Sequence, residues 1–420
     1  MSSERRIVVT GLGAVSSVGN NVNACWDALL AGRSGIGLLT KFDASSLRCR
    51  IGGEVKGLDL DASLTPKEQK RLDPFCHFAV VAADEALRDA GIMDASSTIP
   101  EGTIDPERFG VLVSSGIGGL VSITEQVKVM EARGAERVSP MLVPMMIADM
   151  ASGFLAIRYG FRGPNFGIVS ACASGLHSIG EAYWMIRRGD ADCMLAGGAE
   201  EGVVKIGQAG FSSMHALSER NDSPETASRP FDKDRDGFVP AEGAGVLVLE
   251  EEEHAKRRGA RIYAEVVGYG LSADAHHITA PREDALGASA AIKNAFRCAN
   301  VPYDELSYIN AHGTSTPMND KCETAAIKLT LGDKAYKTAI SSTKSMTGHM
   351  LGAAGGFESV VCVKAIETSC IPPTINQFTP DPDCDLDYVP NKMLEIPVNL
   401  ALNLNFGFGG HNAAVLFRKY

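Results

Sequence analysis

Ile168-Val169-Ser170-Ala171-Cys172-Ala173-Ser174-Gly175-Leu176 is the stretch on which the reading of this chain turns. The apolar run from Phe166 to Val169 reads as a buried strand, and the small residues after it allow a tight turn. Beyond Cys172 the apolar positions Leu176, Ile179, Tyr183 and Ile186 recur at helical spacing, and Arg187-Arg188-Gly189 reads as a helix end. Cys172 is therefore expected on a strand-to-helix elbow, at a helix N-terminus. Unpaired N–H groups and the helix dipole favour a thiolate over a thiol there. Taken alone, such a cysteine is more often packing than chemistry, so its meaning depends on what the rest of the chain supplies.

The chain has 420 residues, 45% of them hydrophobic and 22% charged, a globular balance with length for two or three domains. A net charge of -11 argues against nucleic acid or an anionic membrane as the main partner. The 10 cysteines are scattered with no C-x-x-C pair, which suggests neither a disulfide framework nor a zinc site and fits a reducing compartment. A strand begins at Ile7, with no signal peptide, transit peptide or spanning apolar run, so a soluble cytoplasmic protein is expected.

Strands read at Ile7 to Thr10, from Phe109 into the Gly116-Ile117-Gly118-Gly119 turn, at Ala191 to Glu200 and at Val246 to Glu250. The pattern restarts after Arg261, with strands at Ile262 to Gly268, Tyr308 to Ala311 and Thr338 to Ser341 and a final hairpin. Helices such as Phe75 to Ala90 and Ala285 to Ala299 alternate with them, which implies a layered α/β architecture. The order of elements suggests two similar halves, residues 1–255 and 256–420. Gly11-x-Gly13 is a weak dinucleotide signal, because no further glycine opens a helix and no acidic residue closes a second strand. The aspartates of Arg229 to Phe238 miss the glycine and glutamate positions of a calcium loop and read as a salt-bridged loop. Thr65-Pro66-Lys67-Glu68-Gln69-Lys70-Arg71 is a capped helix start, and Lys67, Lys70 and Arg71 form a basic cluster in an acidic chain.

Four stretches carry the chemistry: Ser170-Ala171-Cys172, Asn310-Ala311-His312-Gly313-Thr314-Ser315-Thr316, Ser341-Ser342-Thr343-Lys344-Ser345-Met346-Thr347-Gly348-His349, and Asn405-Phe406-Gly407-Phe408-Gly409-Gly410-His411. The second and third lie just past strands, where open α/β sheets build their sites. With these motifs the chain resembles the elongating β-ketoacyl-[acyl carrier protein] synthases of fatty-acid synthesis, from Arg6 to the C-terminus. The resemblance implies a thiolase-like fold of two similar α/β halves in five layers (αβαβα), a homodimer, acyl carrier protein as partner and no cofactor or metal. The set of one cysteine and two histidines sets this branch apart from initiating synthases (Cys-His-Asn) and thiolases (Cys-His-Cys).

By the same resemblance Cys172 is the nucleophile and His312 and His349 hold the enolate formed from a malonyl thioester. The N–H groups of Cys172 and Phe408 hold the second oxyanion. Lys344 is the lysine near the histidines, Asp320 and Glu323 are acids expected to pair with it, and Glu358 is a buried glutamate. Thr314 and Thr316 bind the pantetheine arm, Phe406 and His215 line the substrate path, Phe408 is a gate, and Ile117 shapes the acyl pocket at the dimer interface. Lys67, Lys70 and Arg71 match a carrier-docking patch. The chain departs from the family at His215, where an arginine is usual, and at Leu404-Asn405, where Asn-Ser is usual. Those departures bear on carrier choice and the gate. The same chemistry in a polyketide or aryl polyene pathway, or a non-catalytic chain-length-factor-like subunit, are the alternatives.

Overall fold

A computed structural model describes residues 5–420. Every side chain of β1 (Ile7–Val15) is buried, so this strand has structure on both faces. In chain order follow α1 (Pro74–Asp89), β2 (Phe109–Ser114), α2 (Met150–Tyr159), α3 (Ser174–Arg188), β3 (Cys193–Glu200) and β4 (Gly243–Glu251). Then come β5 (Ala264–Ala273), α4 (Leu286–Ala299), β6 (Tyr308–Asn310), α5 (Pro317–Leu331), β7 (Ala339–Ser341), α6 (Ala354–Thr368), β8 (Leu400–Gly407) and β9 (His411–Lys419).

The strands form one 9-stranded mixed sheet in the order β2-β3-β4-β1-β5-β9-β8-β6-β7. Its middle seam is short: β1 meets β5 only where Ile7 to Val9 oppose Val266 to Ala264. Read outward from that seam, the two sides repeat. On one side β1 pairs antiparallel with β4, β4 antiparallel with β3, and β3 parallel with β2. On the other, β5 pairs antiparallel with β9, β9 antiparallel with β8, and β8 parallel with β6. The repeat of element order seen in the sequence is thus a repeat of topology. Helices α3 and α6 touch strands of both sides, whereas α1 and α2 cover only the first side and α4 only the second. The result is the thiolase-like five-layer arrangement, with α3 and α6 as its middle layer.

Glycines set the spacing of those layers. A Cβ on Gly175 of α3 would lie 2.7 Å from Gly352 O, and one on Gly355 of α6 would lie 2.5 Å from Leu176 N. Gly11 and Gly13 serve the same end: their Cβ atoms would meet Ala86 O at 2.1 Å and Ala82 O at 1.8 Å, so the pair seats α1 on β1.

One expectation fails. Phe166 to Val169 form no strand, and the only ladder contact there is a parallel bridge between Val111 and Asn165 at the outer edge of β2. Phe166 is 41% and Val169 60% exposed. An apolar run reads as facing the chain's own core, but at this sheet edge the described residues leave much of these side chains uncovered.

Gly175→Ala should destabilise the fold by about 2–3 kcal/mol, the scale of an overpacked core. Gly210→Ala, in the exposed helix Lys205–Ser213 where a Cβ meets nothing within 4 Å, should be neutral or stabilising. Urea unfolding midpoints of the two variants check this, and equal midpoints would remove the close helix contact as the explanation.

Candidate active site

The helix that carries Cys172 begins as the sequence suggests, but through a strained turn. Ala171 has φ 51°, a left-handed conformation for a residue with a Cβ, and a single 3-10 turn (Ala171–Ala173) leads into α3. Ser174 Oγ accepts from Ser170 N at 2.9 Å and donates to Ala171 O at 2.7 Å, tying the elbow together. The second half repeats the device: Leu351 has φ 47°, and the 3-10 turn Leu351–Ala353 leads into α6. With α3 and α6 in backbone contact, the two elbows meet.

At that meeting point His349 Nε2 lies 3.1 Å from Cys172 Sγ. The His312 and His349 rings stand edge to face, centroids 5.3 Å apart. Both are buried, and burial, followed by the nearby Lys344 charge, holds both well below the usual histidine range. They are therefore neutral imidazoles. Leu351 N donates to His349 Nδ1 at 3.3 Å, so His349 carries its proton on Nε2, facing the sulfur.

The thiol corrects a second expectation. Burial pushes Cys172 up to about 12, against the pull of the Lys344 charge and of hydrogen bonds from the backbone N–H groups of Phe408 and of Cys172 itself. A helix N-terminus favours thiolate, but here desolvation wins. Those two N–H groups face the sulfur, where they can also serve an oxyanion formed beside it.

Behind the histidines lies a buried polar layer. Lys344 Nζ pairs with Glu358, both almost wholly buried. Glu323 accepts from the N–H groups of His312 and Gly313, each at 2.7 Å, and so fixes the backbone that presents His312. Neither acid pairs with Lys344 as expected: Glu323 is taken up by those two N–H groups, and Asp320 accepts from Phe231 N at 2.8 Å and faces Arg235 at 3.6 Å. Arg235 also pairs with Asp381, so the charged loop around residues 229–238 is the salt-bridged structure its sequence suggests.

A cavity of about 460 Å³ runs to Cys172. Ile117, His215, His312, Thr314, Thr316, His349, Phe406 and Phe408 line it, and Thr314 and Thr316 share a hydrogen bond at 3.0 Å. Phe406 stands edge-on to His312, centroids 5.7 Å apart. Lys67, Lys70 and Arg71 are exposed on and just after the short helix Pro66–Gln69, outside the cavity; Thr65 caps that helix as expected, and Glu68 completes a capping box with it. Sequence reading missed Glu200. Its carboxylate accepts from Gly116 N at 2.7 Å and Gly352 N at 2.9 Å, joining the Ile117 turn to the second elbow. A glutamate ending a fully buried strand was the available signal. Among the described residues Cys193, Glu250 and His254 also converge, but Arg258 and Thr10 already occupy the Glu250 carboxylate.

A buried thiol beside the Nε2–H of one neutral imidazole, with a second neutral imidazole, two backbone N–H donors and a cavity leading to them, suits a cysteine-dependent acyltransferase. Residues 4–255 match the family model "Beta-ketoacyl synthase, N-terminal domain", and residues 263–378 match "Beta-ketoacyl synthase, C-terminal domain". The chain is similar to proteins named 3-oxoacyl-[acyl-carrier-protein] synthase 2. It is 51% identical to the one from Synechocystis sp. (99% of each chain) and 48% identical to that of Coxiella burnetii (99% of each). Among solved structures, a β-ketoacyl synthase from Burkholderia phymatum aligns over 99% of this chain and 100% of that one, with TM-score 0.90 and 34% identity. A type II PKS acyl-carrier protein in complex with its ketosynthase aligns over 100% of both chains, with TM-score 0.90 and 35% identity. The chain belongs to the β-ketoacyl synthase family and is a condensing acyltransferase.

The buried pair gives a prediction. Lys344→Met leaves Glu358 without its partner and should cost about 3–5 kcal/mol of stability. Lys344→Met combined with Glu358→Gln should recover much of that loss. A double-mutant cycle by urea unfolding measures it, and strict additivity would mean the two groups do not interact.

Proposed function

We propose that this protein elongates acyl chains in fatty-acid synthesis, joining an acyl group held on Cys172 to malonyl-[acyl carrier protein] by decarboxylative condensation. The observation that carries this reading is the convergence of the Cys172 sulfur, the Nε2 of His349 and two backbone N–H groups at the end of one tunnel.

Cys172 Sγ attacks the acyl thioester carbonyl, its oxyanion held by the N–H groups of Cys172 and Phe408, and the carrier leaves as its thiol. The stored thioester splits one difficult step into two. Malonyl-carrier then enters, and the bond between its carboxylate and α-carbon breaks. Carbon dioxide leaves and the electron pair passes to the thioester oxygen as an enolate. Neutral imidazoles suit this step, because Nε2–H of His312 and His349 can donate to that oxygen with no cation to be desolvated or neutralised. The enolate carbon attacks the acyl-Cys172 carbonyl, the C–S bond breaks, and the thiolate regains a proton from solvent. Burial, aided by the charge of Lys344 with Glu358 behind it, keeps both imidazoles neutral. Glu323 holds the loop that carries His312, and Asp320 holds the neighbouring loop at Phe231. This route uses no cofactor or metal.

Thr314 and Thr316 fit the pantetheine arm, with His215 and Phe406 along its path and Phe408 as the gate. Lys67, Lys70 and Arg71 offer local positive charge to an acidic carrier, which matters for a chain of net charge -11. The known ketosynthase–carrier complex supports that partner. Exposed apolar side chains at Val127, Met130, Val143, Ile157, Phe166 and Val169 support a homodimer built over the β2 edge. We assign the halves to residues 1–255, with the nucleophile, and 256–420, with the histidines. Among the described residues no helix is long and apolar enough to cross a membrane, which is compatible with a cytoplasmic enzyme. The retained Cys172, set against His349, favours an active synthase over a chain-length-factor-like subunit.

Mass spectrometry after mixing with acyl-carrier protein, together with a carbon dioxide assay on malonyl-carrier protein, tests the roles. Cys172→Ala should form no acyl-enzyme, while His312→Ala and His349→Ala should acylate yet lose decarboxylation at least a hundredfold. Histidine variants that decarboxylate normally would sink the assignment. Ile117→Phe should shorten the longest acyl chain accepted, because added volume at the cavity wall is not absorbed. An unchanged chain-length profile would send the acyl group elsewhere.

A further inference from the structure

Asn405 is one of the two residues before Phe406 that depart from the family pattern. It sits in β8, fully buried, at the back of the site. Its Nδ2 donates to Glu358 Oε2 at 2.7 Å and reaches His312 Nδ1 at 3.4 Å, while also approaching the Leu404 carbonyl at 2.7 Å. The amide orientation follows from its surroundings. Turned over, its oxygen would face the Glu358 carboxylate, whereas in the observed orientation Oδ1 meets no donor and lies against Gly355 of α6. The unpartnered oxygen marks the donor side as the one the site requires.

From this geometry we propose that Asn405 is the positioning residue that selects the tautomer of His312. The two hydrogens of Nδ2 lie nearest Glu358 Oε2 and Leu404 O, yet a nitrogen 3.4 Å from Nδ1 can share a donor with it and cannot accept from an Nδ1–H, which favours the proton on Nε2. The opposite tautomer would set Nδ1–H against the amide hydrogens and turn a lone pair toward the cavity. His349 achieves the same state through Leu351 N. The two imidazoles would thus present like-oriented donors by different means, a backbone amide for one and a side-chain amide for the other. Because Asn405 also holds Glu358, the partner of Lys344, it links the buried ion pair to the histidine.

The inference rests on His312 serving as a donor to the enolate, and the test separates the two. Asn405→Leu keeps the volume and removes the donor. Acylation of Cys172 should stay within twofold, which also reports a folded site, while decarboxylation of malonyl-carrier protein should fall at least tenfold. In protein labelled with ¹⁵N-histidine, the signal absent from His312→Ala should show Nε2–H in wild type and a shift toward Nδ1–H in Asn405→Leu. Asn405→Ser, which retains a hydroxyl donor, should restore the Nε2–H signal and most of the decarboxylation. If Asn405→Leu does not fold, Asn405→Ala is read by the same two measurements. An unchanged tautomer or an unchanged decarboxylation rate in the leucine or alanine variant overturns the proposal for Asn405. Normal decarboxylation in His312→Ala overturns instead the role of His312 on which it rests.

Discussion

The backbone contact between α3 and α6 is the constraint from which the rest of the structure follows. Gly175 and Gly355 let the two middle helices approach without side chains between them. Each helix enters through a 3-10 turn whose first residue, Ala171 or Leu351, has positive φ. A left-handed residue with a Cβ costs about 1–2 kcal/mol, and strain of that kind persists only where packing over-determines it. Here the packing is the crossing itself. One elbow holds Cys172 and the other follows His349, so sulfur and imidazole meet because the helices do.

Low polarity at that crossing decides the protonation states. Lys344 is the one buried cation in the group made by Cys172, His312, His349 and Glu358. Its charge adds to desolvation in keeping both imidazoles neutral, and for the thiol it opposes desolvation without overcoming it. The same surroundings that raise the thiol make the neutral N–H donors effective, since a hydrogen bond to a developing anion is stronger where water is absent. A site that holds neutral hydrogen-bond donors and one that holds a resting thiolate ask for different environments, and these surroundings are those of the former.

What could be read in the sequence divides along physical lines. Cys172, its helix and the two histidine loops were legible because small residues, helical spacing and strand-to-loop junctions are local signals. The repeated halves were legible as an order of elements. Phe166 to Val169 was misread because an apolar run reports that something covers it, not that this chain does. The Asp320 partner was misread because charge pairing is set by the fold: Arg235 reaches it from a distant loop, and Glu358, one helix away, takes Lys344. The thiolate expectation failed because helix position is visible in sequence while desolvation is not.

Glu200 shows how far the crossing extends. Its carboxylate lies in β3 and accepts from Gly116 N and Gly352 N, and from Ser115 Oγ at 2.5 Å. Burial pushes it up to about 7, and those hydrogen bonds to its oxygens keep it from rising further. The turn that presents Ile117 to the cavity and the elbow that follows His349 therefore hang from one buried group. A Cβ on Gly352 would come within 2.2 Å of Gly116 N, so the turn and the elbow are also in backbone contact. The cavity wall at Ile117 and the backbone that donates to His349 Nδ1 are in consequence a single packed unit, not two features placed side by side.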